Sequence, residues 1–286
     1  MAGDATQERS GRRVDPRAGL RADCSRCAGL CCVATGFRRS SDFAVDKPAG
    51  TPCLHLADDL GCSIHDRLRP SGFGGCTAYD CFGAGQRVVQ ETCAGEDWRD
   101  SPDTATVVFA VFAVMRDLHE LMWHLVEAVA ITESGPLLDR LSDALAEVRD
   151  LTGQQPEVLR DPSAPSVRDR LLPLLREAGE RARSGQPGAG RAWGPDLSGR
   201  DLRRAELRGA DLRGVLLLGV DLRATDLSRA DLAGADLRGA DLGGARLDSA
   251  LFLTQMQLGA AHGDDATSLP DHLDRPPHWT AALEPR

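Results

Sequence analysis

From Pro195 to Thr254 the chain repeats itself every five residues, as in Ala205-Glu-Leu-Arg-Gly209, Ala210-Asp-Leu-Arg-Gly214, Ala230-Asp-Leu-Ala-Gly234, Ala235-Asp-Leu-Arg-Gly239 and Ala240-Asp-Leu-Gly-Gly244. Twelve such units fit. The period excludes an amphipathic helix, because five residues advance about 500° and the leucines would drift around the axis. It suits a chain that turns a corner every five residues, with Leu and Ala pointing inward and Asp and Arg outward.

The second dense feature is sulfur. Eight cysteines fall within 58 residues, spaced Cys24-x2-Cys27-x3-Cys31-Cys32 and then Cys53, Cys62, Cys76 and Cys81, with Cys93 as a ninth. Such density means either a disulfide framework in an oxidising compartment or thiolates around metal in a reducing one. The polar, Arg-rich stretch Met1 to Asp23 lacks the apolar region of a secretory signal, which points to the cytoplasm and to metal. Cysteines two residues apart turn both sulfurs toward one point in a tight knuckle, as Cys24 and Cys27 can. Adjacent Cys31 and Cys32 diverge, so one completes a first site while the other faces a second site or the core. His55 and His65 are nitrogen donors available to replace a sulfur, although a loop histidine more often needs no metal. Clustered thiolates with an adjacent pair depart from the two-knuckle spacing of zinc ribbons, favouring an iron–sulfur cluster over zinc.

These residues resemble the cysteine-cluster family described as zinc- or iron-chelating domains, to which the flagellin lysine methylases also belong. The matching pieces are Cys24-Ser-Arg-Cys27-Ala-Gly-Leu-Cys31-Cys32, Pro52-Cys53-Leu54-His55-Leu56, Gly61-Cys62-Ser63-Ile64-His65 with Arg69-Pro70, and Cys76. His65 stands where the family usually has tyrosine, and the stretch from Pro70 to Cys76 is longer than the family's. Both Cys76 and Cys81 are therefore kept as ligands, in the set Cys24, Cys27, Cys31, Cys32, Cys53, Cys62, Cys76 and Cys81.

Between the two features the sequence predicts helices. Ser101-Pro102 supplies an N-cap and a first-turn proline for a helix over 103–133. Its first half, Val107 to Met115, is apolar on every side and implies burial all round, yet is too short for a bilayer, which needs about twenty residues. Its second half is amphipathic, with Leu118, Leu121, Met122, Leu125 and Val129 on one face. Glu120 and His124, four apart, read as a solvated surface pair before an acid–base pair. Further helices are expected over 137–151 and 166–183, the latter kinked or delayed by Pro173. Gly83-Ala84-Gly85 is followed by no Lys-Ser/Thr pair, so it is not read as a phosphate loop.

Forty-three acidic residues against 34 Lys and Arg give a net charge of −9, leaving no basic face for a general grip on nucleic acid. Lys47 is the one lysine.

The repeats resemble the pentapeptide-repeat proteins, whose motif is Ala-(Asp/Asn)-Leu-x-x. The resemblance implies a right-handed quadrilateral β-helix of about three coils, with Leu197, Leu202, Leu207, Leu212, Leu217, Leu222, Leu227, Leu232, Leu237, Leu242 and Leu247 stacked inside and Phe252 closing the last unit. Its ends need covers, expected from Trp193 on one side and from a short helix over 254–261 with Leu269, Leu273 and Trp279 on the other. Some pentapeptide proteins imitate duplex DNA and bind gyrase. Here ten acidic residues and nine arginines interleave over 195–254, which imitates a phosphate backbone poorly.

The expected fold is therefore α+β. A disordered tail (1–22) precedes a loop-rich metal-bound cysteine domain (23–100), a helical segment (101–184), a linker (185–194), the quadrilateral β-helix (195–254) and a cap with tail (255–286). The function that follows from both motifs is a cytoplasmic iron–sulfur or zinc protein whose repeat scaffold docks a protein partner, with no membrane involvement. One alternative is an iron–sulfur modifying enzyme of specialised metabolism, for which Glu120, His119, His124, His65 and Tyr79 are the titratable groups to test. A lesser alternative is a gyrase-binding self-resistance protein.

Overall fold

The computed structural model describes residues 15–161 and 166–279. Most of the expected tail, over 1–14, and the end of the closing segment, over 280–286, lie outside the described residues. Residues 15–22 carry a short turn of helix, Ala18–Leu20, with Leu20 buried.

Most of the five-residue units are built on a type II turn. The leucine carbonyl accepts from the N–H three residues on, as Leu207 does from Ala210 at 2.9 Å. The intervening Gly209 sits at φ 72°, where glycine is favoured. The aspartate before the leucine accepts from the backbone N–H two residues on, as Asp236 does from Arg238 at 3.1 Å. Parallel bridges join Asp211 to Asp231 and Asp231 to Leu251, so twenty residues, or four units, complete one coil.

The expected α+β class with a quadrilateral β-helix is corrected here. Among the described residues there is no β-strand and no sheet, only isolated bridges, and the chain is helical and loop-built. The turn takes four residues in every five, so bridged residues never follow one another and no ladder propagates along a strand. The stacked interior nonetheless forms: every leucine from Leu197 to Leu247 in the row above is buried, as is Phe252.

Seven further elements matter to the site: α1 (Leu30–Ala34), α2 (Ala84–Arg87), the five-residue turn Val88–Thr92, α3 (Pro102–Ile131), α4 (Pro136–Leu151), α5 (Val167–Arg183) and α6 (Gln255–Ala260). Ser101 caps α3 by accepting from the Thr104 N–H at 3.1 Å. α5 runs through Pro173 without ending. In α3 burial is the reverse of the sequence expectation. Ala113 in the first half is exposed, whereas Leu121 to Ala128 is continuously buried. The second half is enclosed by α4, α5, the N-terminal segment and the coil, and this tertiary cover overrides its amphipathic pattern.

α6 is closed by a capping box between Thr254 and Gln257. The Gln257 amide then donates to Leu232 O at 2.7 Å and Ala235 O at 2.9 Å, fastening α6 to the coil. Trp279 is buried and donates to Ala261 O at 3.1 Å. No helix among the described residues is long and apolar enough to cross a membrane.

Glu127 of α3 joins helices, coil and tail. One carboxylate oxygen accepts from the Phe252 N–H at 2.6 Å. The other lies 3.7 Å from Arg17 and 4.0 Å from His272. Burial pushes its carboxyl up to about 7 from 4.5. The folded chain therefore binds a proton that the unfolded chain releases between those values, and the contribution to stability is lost as pH rises through the window. Glu127→Gln should gain stability relative to the parent across that window, by up to about 3 kcal/mol. Urea titrations at a series of pH values read this difference.

Candidate metal centre

The divergence of Cys31 and Cys32 on α1 divides the eight clustered cysteines into two groups, because successive helical side chains point about 100° apart. Cys24, Cys27, Cys31 and Cys81 line a cavity of about 20 Å³, together with Asp23, Gln86 and Phe112. That is room for about one atom. Cys24 and Cys27 are held as a knuckle by a Cys27 N–H to Cys24 O bond of 3.3 Å. Cys81 comes from the turn entering α2, where its carbonyl accepts from the Ala84 N–H at 2.9 Å.

Cys32, Cys53, Cys62 and Cys76 form the second group. Cys53 is tied to α1 by its N–H to Cys32 O, at 2.9 Å, and Cys62 is bridged to Leu56. Cys53, Cys62 and Cys76 pack on a satellite core of Ile64, Leu68 and Phe73. The two groups meet where the Cys31 and Cys32 sulfurs stand 4.0 Å apart. Cys93 is buried in the main core. His55 packs edge-on against Phe73, ring centres 4.9 Å apart, and His65 is exposed.

All nine cysteines are free thiols. Burial pushes Cys27 up to about 11 and Cys76 up to about 12, and it also raises Cys24, Cys62 and Cys81. Neighbouring sulfurs add to the shift in Cys24, Cys27, Cys62 and Cys76, since thiolates crowded together repel. Cys32 is the exception, lowered to about 7 by its hydrogen bond from Cys31, with Lys47 assisting. Among the described residues no three His, Cys, Asp or Glu side chains stand, as placed, in a geometry that could hold a metal ion. The chemistry of the donor set nonetheless fits a thiophilic cation: unoxidised thiols in two groups, whose mutual repulsion on deprotonation a divalent charge would cancel.

The glycines at 83 and 85 serve close approach. A Cβ on Gly85 would come within 2.6 Å of the Cys27 sulfur, and one on Gly83 within 2.5 Å of Gly19 O. Their absence of side chains lets α2 lie against the first cysteine group and the N-terminal segment.

Sequence reasoning missed Lys47. Its ammonium is buried beside the second group and donates to Val33 O at 3.1 Å and Thr51 O at 2.9 Å. The only available signal was its being the single lysine among many arginines.

The five titratable candidates do not assemble into one site, although Glu120 and His124 line a common cavity. Glu120 pairs with Arg168 at 3.2 Å and Arg116 at 3.5 Å. His124, expected at a solvated surface, is buried against Phe252 and pushed down to about 4 by burial. Tyr79 is largely enclosed, its hydroxyl unpartnered and its pKa raised by burial, with the Arg116 guanidinium 5.6 Å from its ring. His65 lies on the exposed turn, and His119 is buried beside Phe82.

Residues 216–252 match the family of pentapeptide repeats, in eight copies. Over 264 residues the chain is 52% identical to Uncharacterized protein YybG of Bacillus subtilis (strain 168), covering 91% of this chain and 95% of that protein. No solved structure matches the chain. With that identity extending over cysteine region, helices and repeats alike, the chain, which itself carries pentapeptide repeats, belongs to the family of Bacillus subtilis YybG.

Proposed function

We propose that this is a metal-carrying protein, with two four-thiolate sites in its N-terminal third and the pentapeptide coil as the scaffold that holds them and offers a docking surface to a protein partner. One observation carries the reading: four cysteines from three separate segments line a cavity the size of one atom. The second group, under Lys47, supplies the other site. Two groups of four thiols match the tetrahedral four-sulfur coordination of zinc, one ion per group, in place of the iron–sulfur cluster that the spacing alone favours. Cys24, Cys27, Cys31 and Cys81 would hold one ion and Cys32, Cys53, Cys62 and Cys76 the other. Bound there, the ions supply cross-links to a segment otherwise rich in glycine and loops.

Anaerobic purification followed by metal and acid-labile sulfide analysis tests this. Two zinc per chain without labile sulfide is expected. Cys24→Ser with Cys27→Ser should remove one equivalent, and Cys53→Ser with Cys62→Ser the other. Metal content unchanged in both variants, or protein free of zinc and iron, overturns the reading. Labile sulfide would keep the thiolate sites but replace zinc by a cluster.

A further inference from the structure

A cavity of about 330 Å³ opens between the N-terminal segment, α2 with the turn after it, α3 and α4. Its size is that of a small-metabolite site. Three arginines line it, Arg26, Arg87 and Arg149, against a single carboxylate, Glu91. In a chain of net charge −9 this local excess of positive charge runs against the composition.

The three guanidiniums differ in what they already do. Arg87 is positioned by Glu91 and by the Thr152 carbonyl, the latter at 3.3 Å. No side-chain hydrogen bond or ion pair to another described residue engages the guanidinium of Arg26 or of Arg149. Arg26 and Arg149, both exposed at the cavity's rim, together with the oriented Arg87 are the ingredients of oxyanion recognition.

His119 also lines the cavity. His119 is buried, and its Nδ1 lies 2.7 Å from Phe82 O. A carbonyl only accepts, so Nδ1 carries the proton and Nε2 keeps its lone pair. Burial, reinforced by Arg87, lowers the affinity of this ring for a second proton.

We propose that this cavity binds a small metabolite bearing a carboxylate or phosphate group and a hydroxyl, the oxyanion held by Arg26, Arg87 and Arg149 and the hydroxyl donating to His119 Nε2. Gln86 lines both this cavity and the first cysteine group, which places the ligand beside those thiols. The inference goes beyond the metal reading and stands without it, because none of its groups is a sulfur.

Calorimetric titration of the full chain at low salt with pyrophosphate and with citrate tests it, alongside NMR titration of the His119 ring. At least one probe should saturate at one per chain and shift the His119 ring resonances, because the bound ligand contacts Nε2. Pyrophosphate alone would identify a phosphate-bearing ligand, and citrate alone a carboxylate. Arg26→Gln with Arg149→Gln should weaken binding at least tenfold with thermal stability and metal content unchanged, while Arg160→Gln, a control away from the cavity, should bind as the parent does. Saturation by neither probe, equal affinity in the double variant, or an unmoved His119 overturns the proposal.

Discussion

Arg183→Ala should destabilise the protein by about 3–5 kcal/mol, the range for stranding one partner of a buried ion pair. Arg183 ends α5 and is buried against the coil, its guanidinium 3.2 Å from Asp211, 3.9 Å from Asp231 and 3.5 Å from Gly209 O. Asp231 has no exposed surface, and burial pushes its carboxyl up to about 6. Without Arg183 that carboxylate keeps Arg213, at 3.8 Å, as its one remaining ion-pair partner among the described residues, beside the Ala233 N–H at 3.2 Å. Urea unfolding near neutral pH reads the loss. Two further measurements separate the ion pair from simple loss of packing. At pH 5, below the shifted value, Asp231 is mostly protonated and the penalty should shrink. Adding Asp231→Asn to Arg183→Ala should recover part of it, giving a coupling energy from the double-mutant cycle. An equal loss at both pH values, with no recovery, would mean that Arg183 acts through its methylenes alone.

Leu227→Ala should cost about 2–5 kcal/mol, the range for emptying a leucine from a closed core. Leu227 lies one coil after Leu207 and one before Leu247, and all three are fully enclosed. Its own N–H is committed to Arg246 O at 3.0 Å, so the backbone cannot slide to fill the gap. Leu216 provides the contrast. It occupies an aspartate slot of the repeat and is 39% exposed, so Leu216→Ala should change stability by less than about 1 kcal/mol. Similar losses at 216 and 227 would refute the inward assignment of the leucine row.

The repeat was the most legible part of the chain because its information is local. A leucine every fifth residue, a turn glycine two residues later and an aspartate before it specify the corner and the inward side chain together. What the period did not reveal was that the corners consume the extended residues a strand would need. The caps on α3 and α6 were also readable, from Ser101-Pro102 and from Thr254 with Gln257. Burial along α3 was misread because neither half of the helix announces which elements will cover it. His124 was misplaced at the surface for the same reason.

At the cysteines, spacing singled out eight candidate ligands and the expectation that Cys31 and Cys32 serve different groups. It did not disclose the partition, since Cys81 joins the first group and Cys76 the second across loops that no local pattern aligns.

The sequence by itself determined the period-five coil, its leucine interior, the helix starts and the concentration of thiols, all of which follow from residues near one another in the chain. Only the tertiary structure decided which thiols share a cavity, that Lys47 and Glu127 are buried, and that three arginines line one cavity with His119. Each of these depends on contacts between segments far apart in sequence, where burial and charge are set by what the fold brings alongside.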